Sequence, residues 1–350
     1  MPSAVARFGM VPLTLSVMAC IIIVAASFAL DMFVLLQATV YAALAILALS
    51  LAFVWGYGGI MAFGQAAFFG LGGYTYAVVA TNFGDSTVAI LLAVLIPALF
   101  AAALGYFMFF GRLGNLYIGI VTLCVGLVLF NFMNSTSDAF YRIGHAALNG
   151  FNGMSAIPPI NVPFIPGDYL GPEATFLLSA LSLVAAYVVL RALILSPFGR
   201  IVVAVRENEE RAGLLGYHVP MVKLATFAIG AGLAGYAGCL YANWSGFVGP
   251  TIFGLGSMAQ VIIWTVAGGL GTLIGPIAAA IALQMLVTWL GSAGVLDVNL
   301  VLGAVLMAVV VFMPSGLVPG LAGLAAALGR HVALAQVTPL VDDAQPEARG

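Results

Sequence analysis

The chain has 350 residues, of which 63% are hydrophobic and 6% charged, and its formal net charge is −2. A soluble domain carries about 25% charged residues, so the composition excludes an ordinary soluble fold and leaves a polytopic membrane protein. Ten Lys and Arg spread over the whole length also exclude a basic nucleic-acid surface.

In chain order, Arg7 precedes an apolar run that continues to Leu30. Val17-Met18-Ala19-Cys20 has a slight likeness to a lipoprotein cleavage box. The run exceeds the roughly 7–15 residues of a signal core and is long enough to span, so a first span is the better reading. Cutting at polar, Gly and Pro punctuation predicts about ten spans, with eight as the lower bound. They fall near 10–30, 33–54, 66–82, 88–110, 116–134, 174–194, 223–242, 257–273, 275–293 and 299–313. The stretch 56–73 reads as a plain loop or a re-entrant turn. Residues 135–173, with IPPINVPFIPGDY, form a long loop between spans. The predicted fold is therefore all-α: a transmembrane domain over 1–313, then a tail over 314–350 that is polar after Arg330 and partly disordered.

Placing the N-terminus in the cytoplasm puts Arg7, Arg112, Arg191, Arg200, Arg206, Arg211, Lys223, Arg330 and Arg349 inside, and Arg142 alone outside. That bias predicts an even span number and cytoplasmic termini. It makes 135–173 an outside loop and 195–222 a cytoplasmic one. Cys20, Cys124 and Cys239 lie in apolar runs, and His145, His218 and His331 are far apart, so no metal or disulfide framework is predicted.

Glycines punctuate both halves. In IGAGLAGYAGCL, small residues recur at Gly230, Ala234 and Gly238, and at Ala231, Gly235 and Cys239. Such faces let helix backbones approach closely in lipid. Two further clusters, 56–73 with Gly58, Gly59 and Gly64, and 268–276 with Gly268, Gly269, Gly271 and Gly275, read as breaks in helices. Interrupted helices at matching places suggest a two-half internal repeat with the pathway at its interface.

The densest charge lies in Arg200, Arg206, Glu207, Glu209, Glu210 and Arg211. Pro197 and Gly199 end the preceding span, and 201–215 reads as a short helix stopped by Gly216. Arg206 with Glu210, and Glu207 with Arg211, are four apart and predicted to bridge, holding a rigid helix along the membrane with Leu214 and Leu215 beneath. The plain alternative is a solvated interfacial helix.

Arg206-Glu207-Asn208-Glu209-Glu210-Arg211-Ala212, followed by Gly216, resembles the coupling loop of bacterial ATP-binding cassette importer permeases. Arg211 stands where the general motif has Ala. The variant from Ser196-Pro197-Phe198-Gly199-Arg200 to Lys223 is similar to the branched-chain amino acid permease family. Gly56-Tyr57-Gly58-Gly59, Phe63 to Tyr74, Ala234 to Tyr241, Gly268 to Pro276 and Phe312-Met313-Pro314-Ser315-Gly316-Leu317 extend the resemblance, and Asn149 to Pro158 resembles its M-type subunit. Met61 and Gln65 depart from many relatives, which bears on substrate and not on family.

The resemblance implies an importer membrane subunit in the bacterial inner membrane, moving branched-chain or related amino acids. It implies two separate ATPase chains docked under the charged loop, a second H-type permease and a periplasmic binding protein. The chain is not expected to be an enzyme. It has no Gly-x-x-x-x-Gly-Lys-Ser/Thr loop, so ATP and Mg belong to the partners and no cofactor is expected here. None of the predicted spans holds a central charge, which disfavours a self-contained secondary carrier. A non-transporting scaffold is a further alternative, and urea or short amides are alternative substrates. Polar residues expected at membrane depth are Gln37, Gln65, Thr122, Asn131, Gln260, Thr265, Gln284 and Thr288. Each serves interhelical hydrogen bonding or lines a pathway; Gln65, Asn131 and Gln260 are the pathway candidates.

Overall fold

Lipid offers no partner to a backbone amide, so apolar segments close their own hydrogen bonds as helices. The computed structural model describes residues 18–293 apart from 26, 28–30, 139 and 163–166, together with 303, 304 and 307. Helix α1, Met32–Leu51, runs directly into a π-helical turn, Ala52–Tyr57. Residues 58–64 are not helical, and α2 spans Gln65–Phe83. Then come α3, Ser86–Phe110, and α4, Asn115–Ser135. Helix α5, Pro172–Leu195, is followed by the short α6, Pro197–Glu207, and α7, Glu209–Leu214. The bundle closes with α8, Val219–Ser245, α9, Leu255–Gly268, and α10, Ile274–Ala293.

Among the described residues, six helices are long and apolar enough to cross a membrane. Two of the ten predicted spans take other forms. The 66–82 segment is helical as α2, but its polar residues and glycines keep it out of that set. The 257–273 segment shortens to 14 residues, because Gly269 adopts φ +101°, where an L side chain is strained. Of the predicted 10–30 span, residues 18–25 and 27 are helical. The span near 299–313, apart from 303, 304 and 307, the closing motif 312–317 and the tail 314–350 lie outside the described residues.

Helix α8 is the centre of the bundle and packs on α1, α2 and α3. Its small residues mark the crossings. A Cβ on Gly238 would sit 1.9 Å from the Phe69 carbonyl oxygen of α2, and one on Gly235 would sit 2.3 Å from the Ala93 carbonyl oxygen of α3. With the backbones this close, van der Waals contact binds the helices where no hydrophobic effect operates. Beside this seam, Phe227 meets Phe68 and Phe109 edge-on, with centroids 5.3 and 5.8 Å apart, a favoured aromatic geometry.

The segment between α4 and α5 departs from the all-α expectation. A hairpin pairs β1, Arg142–Ile143, with β2, Ala146–Ala147, and β3, Met154–Ser155, pairs with β4, Phe247–Val248, beyond α8. The chain here folds over one end of the bundle. Tyr76 donates to the Pro158 carbonyl at 2.9 Å, and the Asn243 amide oxygen accepts the Ile160 N–H at 2.7 Å. Asn161, buried, accepts the Ser86 N–H at 2.7 Å and donates to the Val162 carbonyl at 3.0 Å. Beside it, Asp85 caps α3 by accepting the Thr87 N–H, which holds its carboxyl below the usual carboxylate range. Asn161→Ala leaves the Ser86 N–H buried without that acceptor, at a cost of about 1–3 kcal/mol. Limited proteolysis between 142 and 161 is therefore expected to accelerate in the variant; an unchanged cleavage rate would count against Asn161 as the fastener of this cap.

Candidate functional site

Between α1, α8, α9 and α10 lies a cavity of about 470 Å³. Its polar lining comes from Gln37, Tyr41, Ser257, Gln260, Gln284 and Thr288, among aromatic walls that include Phe33, Phe69, Trp244 and Trp264. Helical spacing builds it: Gln37 and Tyr41 lie one turn apart on α1, as do Gln260 and Trp264 on α9. The Tyr41 hydroxyl bridges Gln37 Oε1 at 3.1 Å and Thr288 Oγ1 at 3.0 Å, tying α1 to α10. No charged side chain is among the lining residues. Such a cavity suits an amphipathic or neutral solute held weakly by amides, hydroxyls and aromatic faces.

The three pathway candidates fall in different places. Gln260 lines the cavity. Gln65 is 1% exposed and donates to Ser50 Oγ at 3.1 Å and to the Gly230 carbonyl at 3.2 Å, while its neighbour Ala66 faces the cavity. Asn131 is exposed on α4 and donates only to the Leu127 carbonyl one turn back, among the bonds resolved for it. Thr122 accepts the Gly64 N–H at 3.3 Å, and Thr265 donates to the Val261 carbonyl at 2.9 Å; both are interhelical or local fasteners. Tyr41, Trp244 and Trp264 also line the cavity, and the sequence alone does not single them out. The spacing of Gln37 with Tyr41 was the available signal.

At the opposite end of the bundle from the cap lie the charged residues. The single helix predicted over 201–215 is two helices. Asn208 adopts φ −160° and ψ 105°, and its side chain accepts the Arg211 N–H at 2.8 Å, capping α7. Asn is a strong N-cap and carboxylates favour the first turn; Asn208-Glu209-Glu210 carries that signal. The break removes both predicted bridges. Arg206 pairs instead with the adjacent Glu207, and Glu209 pairs with Lys223 at the start of α8. Lys223 is 7% exposed, so this contact pins α7 to the bundle. Arg200, Glu210 and Arg211 remain exposed, and Gly216 stops the chain at φ +90°. Leu214 and Leu215 are 89% and 71% exposed and cover nothing in the described fold. A groove of about 520 Å³ opens beside them, lined by Arg112, Glu209, Glu210, Tyr217, His218 and Lys223.

Arg206 also reaches inward, where its Nη1 donates to the Gly56 carbonyl at 2.6 Å. The two glycine-rich breaks meet at this level. A Cβ on Gly56 would lie 1.9 Å from the Leu270 carbonyl oxygen, and the Tyr57 hydroxyl donates to the Gly271 carbonyl at 3.3 Å. Within the breaks, Gly58 lies against Val54 and Thr226, Gly64 against Thr122, and Gly268 against Gly275. Among the described residues, no cluster of His, Cys, Asp and Glu could hold a metal ion.

A family model described as "Branched-chain amino acid transport system / permease component" matches residues 33–311. The high-affinity branched-chain amino acid transport system permease protein LivM of Escherichia coli K12 is 30% identical over 304 residues, covering 78% of this chain and 67% of the relative. The probable branched-chain amino acid transport permease protein LivM of Methanocaldococcus jannaschii is 27% identical over 231 residues, 56% of this chain and 63% of that protein. The xylose transport system permease protein XylH of Escherichia coli K12 is 30% identical over 146 residues, 40% of this chain and 36% of its own length. No solved structure matches the chain.

Proposed function

The chain belongs to the branched-chain amino acid transport permease family, and on that premise we propose that it is the membrane subunit of an ATP-binding cassette importer. It carries branched-chain or related amino acids inward, with the uncharged cavity on their route. Two separate ATPase chains supply ATP hydrolysis. An H-type permease completes the membrane pair, and a periplasmic binding protein delivers the substrate. The observation that carries this reading is the end of the bundle formed by α6 and α7. There Glu210, Arg211, Leu214 and Leu215 are exposed together on elements pinned to α8 by Glu209 and Lys223. Rigid, charged and apolar at once, this surface suits a soluble partner chain. In this reading α6 and α7 lie in the cytoplasm with both termini, the 142–161 cap lies in the periplasm, and the bilayer is the bacterial inner membrane.

The test is purification from native membranes with neighbours retained, then mass spectrometry and an ATPase assay. The wild-type chain is expected to bring down two ATPase chains and a second permease. Glu210→Arg is expected to lower ATPase recovery at least about tenfold, the effect of setting like charge into a complementary interface. Undiminished recovery by Glu210→Arg would remove α7 from the docking surface, and wild-type chain recovered alone would remove the importer reading. The amide-bearing lining of Gln37, Gln260 and Gln284, without charge, favours urea or short amides as a second substrate class. Competition of these solutes against leucine uptake separates the two.

A further inference from the structure

We propose that Arg206 is the positioning residue that transmits movement of the charged α6–α7 pair to the cavity, by holding the Gly56 carbonyl at the junction of the two glycine breaks. The proposal rests on the reading of α6 and α7 as the docking surface, and names the link between that surface and the route.

The argument starts with a hydrogen bond the helix gives up. In a regular α-helix the Ile60 N–H would take the Gly56 carbonyl, four residues back. Here the chain leaves the helix at Gly59, φ +68°, so Ile60 reaches back six residues to Val54 at 3.1 Å while Gly59 keeps the ordinary four-residue bond to Trp55 at 3.0 Å, and the Gly56 carbonyl is among those a helix end leaves open. The freed carbonyl of Gly56 accepts from Arg206 Nη1 instead, so a residue 150 positions away completes the end of α1. A bond from a charged guanidinium is stronger than the neutral one it replaces.

The guanidinium is held from its other side. Its Nε and Nη2 both donate to Glu207 Oε1, which fixes the plane of the fork. Gly59, at φ +68°, lets the backbone turn beneath the arginine stem, where a Cβ would lie 2.7 Å from Arg206 Cγ. Lysine could place a charge here but not a planar fork on both partners.

What Arg206 grips is connected on both sides. Gly56 presses on the Leu270 backbone and Tyr57 bonds to Gly271, so the break after α1 and the break between α9 and α10 touch. All three of these helices line the cavity, through Tyr41, Gln260 and Thr288 among others. A displacement of α6 therefore pulls on the point where the cavity-lining helices are least regular and hinge most readily. Two arrangements of this junction, biased from α6, would open and close the cavity without any charge crossing the membrane.

The experiment compares Arg206→Met, Arg206→Lys and wild type in the assembled complex in nanodiscs. It reads leucine transport, ATP hydrolysis, ATPase recovery and hydrogen exchange of amides 57–64. For Arg206→Met we expect transport to fall at least about tenfold, the loss of a charged hydrogen bond at a moving junction. ATPase recovery and hydrolysis are expected to persist, and exchange of amides 57–64 to rise about tenfold; Arg206→Lys is expected to recover part of both. Wild-type transport with unchanged exchange in Arg206→Met overturns the proposal. So does loss of ATPase recovery in that variant, because Arg206 would then be part of the docking surface. If the wild-type chain binds no ATPase, the importer reading fails, and the exchange of amides 57–64 still decides whether Arg206 holds the junction.

Discussion

Gly238→Leu is expected to remove most of the correctly folded protein. The Cβ of any larger residue at this position lies 1.9 Å from the Phe69 carbonyl oxygen and 2.9 Å from the Gly73 nitrogen, both backbone atoms of α2. No rotamer relieves a clash that begins at Cβ, so α2 and α8 must separate. Separation also disturbs the contact of Gly72 with Gly235, where a Cβ would lie 2.1 Å from the Gly235 carbonyl oxygen. Overpacking a tight core costs about 1–3 kcal/mol and more where backbone must move. Close small-residue contact is the main attraction between helices in lipid, so the upper end applies. The check is the thermal midpoint and the monodisperse fraction in detergent, with Gly256→Ala as a comparison at a position with open space around it and no left-handed backbone. A Gly238→Leu protein with the wild-type midpoint would show that α2 and α8 do not cross at this point.

Gln260→Lys should arrest transport while leaving the bundle assembled. The cavity is lined with amides, hydroxyls and aromatic rings, and none of its lining residues is charged. A lysine ammonium in this lining would repel the ammonium group of an amino acid by on the order of 4 kcal/mol at 4 Å and an effective dielectric near 20, equivalent to at least roughly a hundredfold in a rate or binding constant. Solute moving along this route would meet that repulsion. Leucine uptake, normalised to chain content in the membrane, is the measurement. Retained uptake would place the route elsewhere than this cavity.

Some of this architecture is written locally in the chain. The apolar lengths of α1, α3, α4, α5, α8 and α10 were legible because a bilayer imposes one length on every span. The four-residue repeat of Gly230, Ala234 and Gly238 was legible as a packing face because the helix period sets which side chains align. The family is carried by motifs in order along the chain, and these too are local. The Asn208 break was written as an N-cap but masked by two i,i+4 charge pairs that suggested a longer helix. The partner of Lys223 was not legible, because Glu209 reaches it only after α7 folds back on α8. Gln65 could not be placed from sequence for a similar reason. Whether a buried amide faces a cavity or a neighbouring helix depends on what packs opposite, and Ser50 and Gly230 come from two other helices. The cavity itself gathers residues from position 33 to position 288, and no local pattern encodes that assembly.

The pairing of β3 with β4 has a consequence for how the chain is made. Ser155 and Phe247 are directly paired across a two-stranded sheet, and the Ile160 amide waits for Asn243. About 90 residues separate these partners, so at roughly 5–20 residues per second the first partner waits on the order of 5–18 s for the second to be synthesised. During that interval the 142–161 segment has its hairpin and its contacts to α2 and α3, but not its last strand. The cap therefore closes only after α8 has been delivered to the bundle. Its closure marks a chain whose central helix has been inserted in the right register.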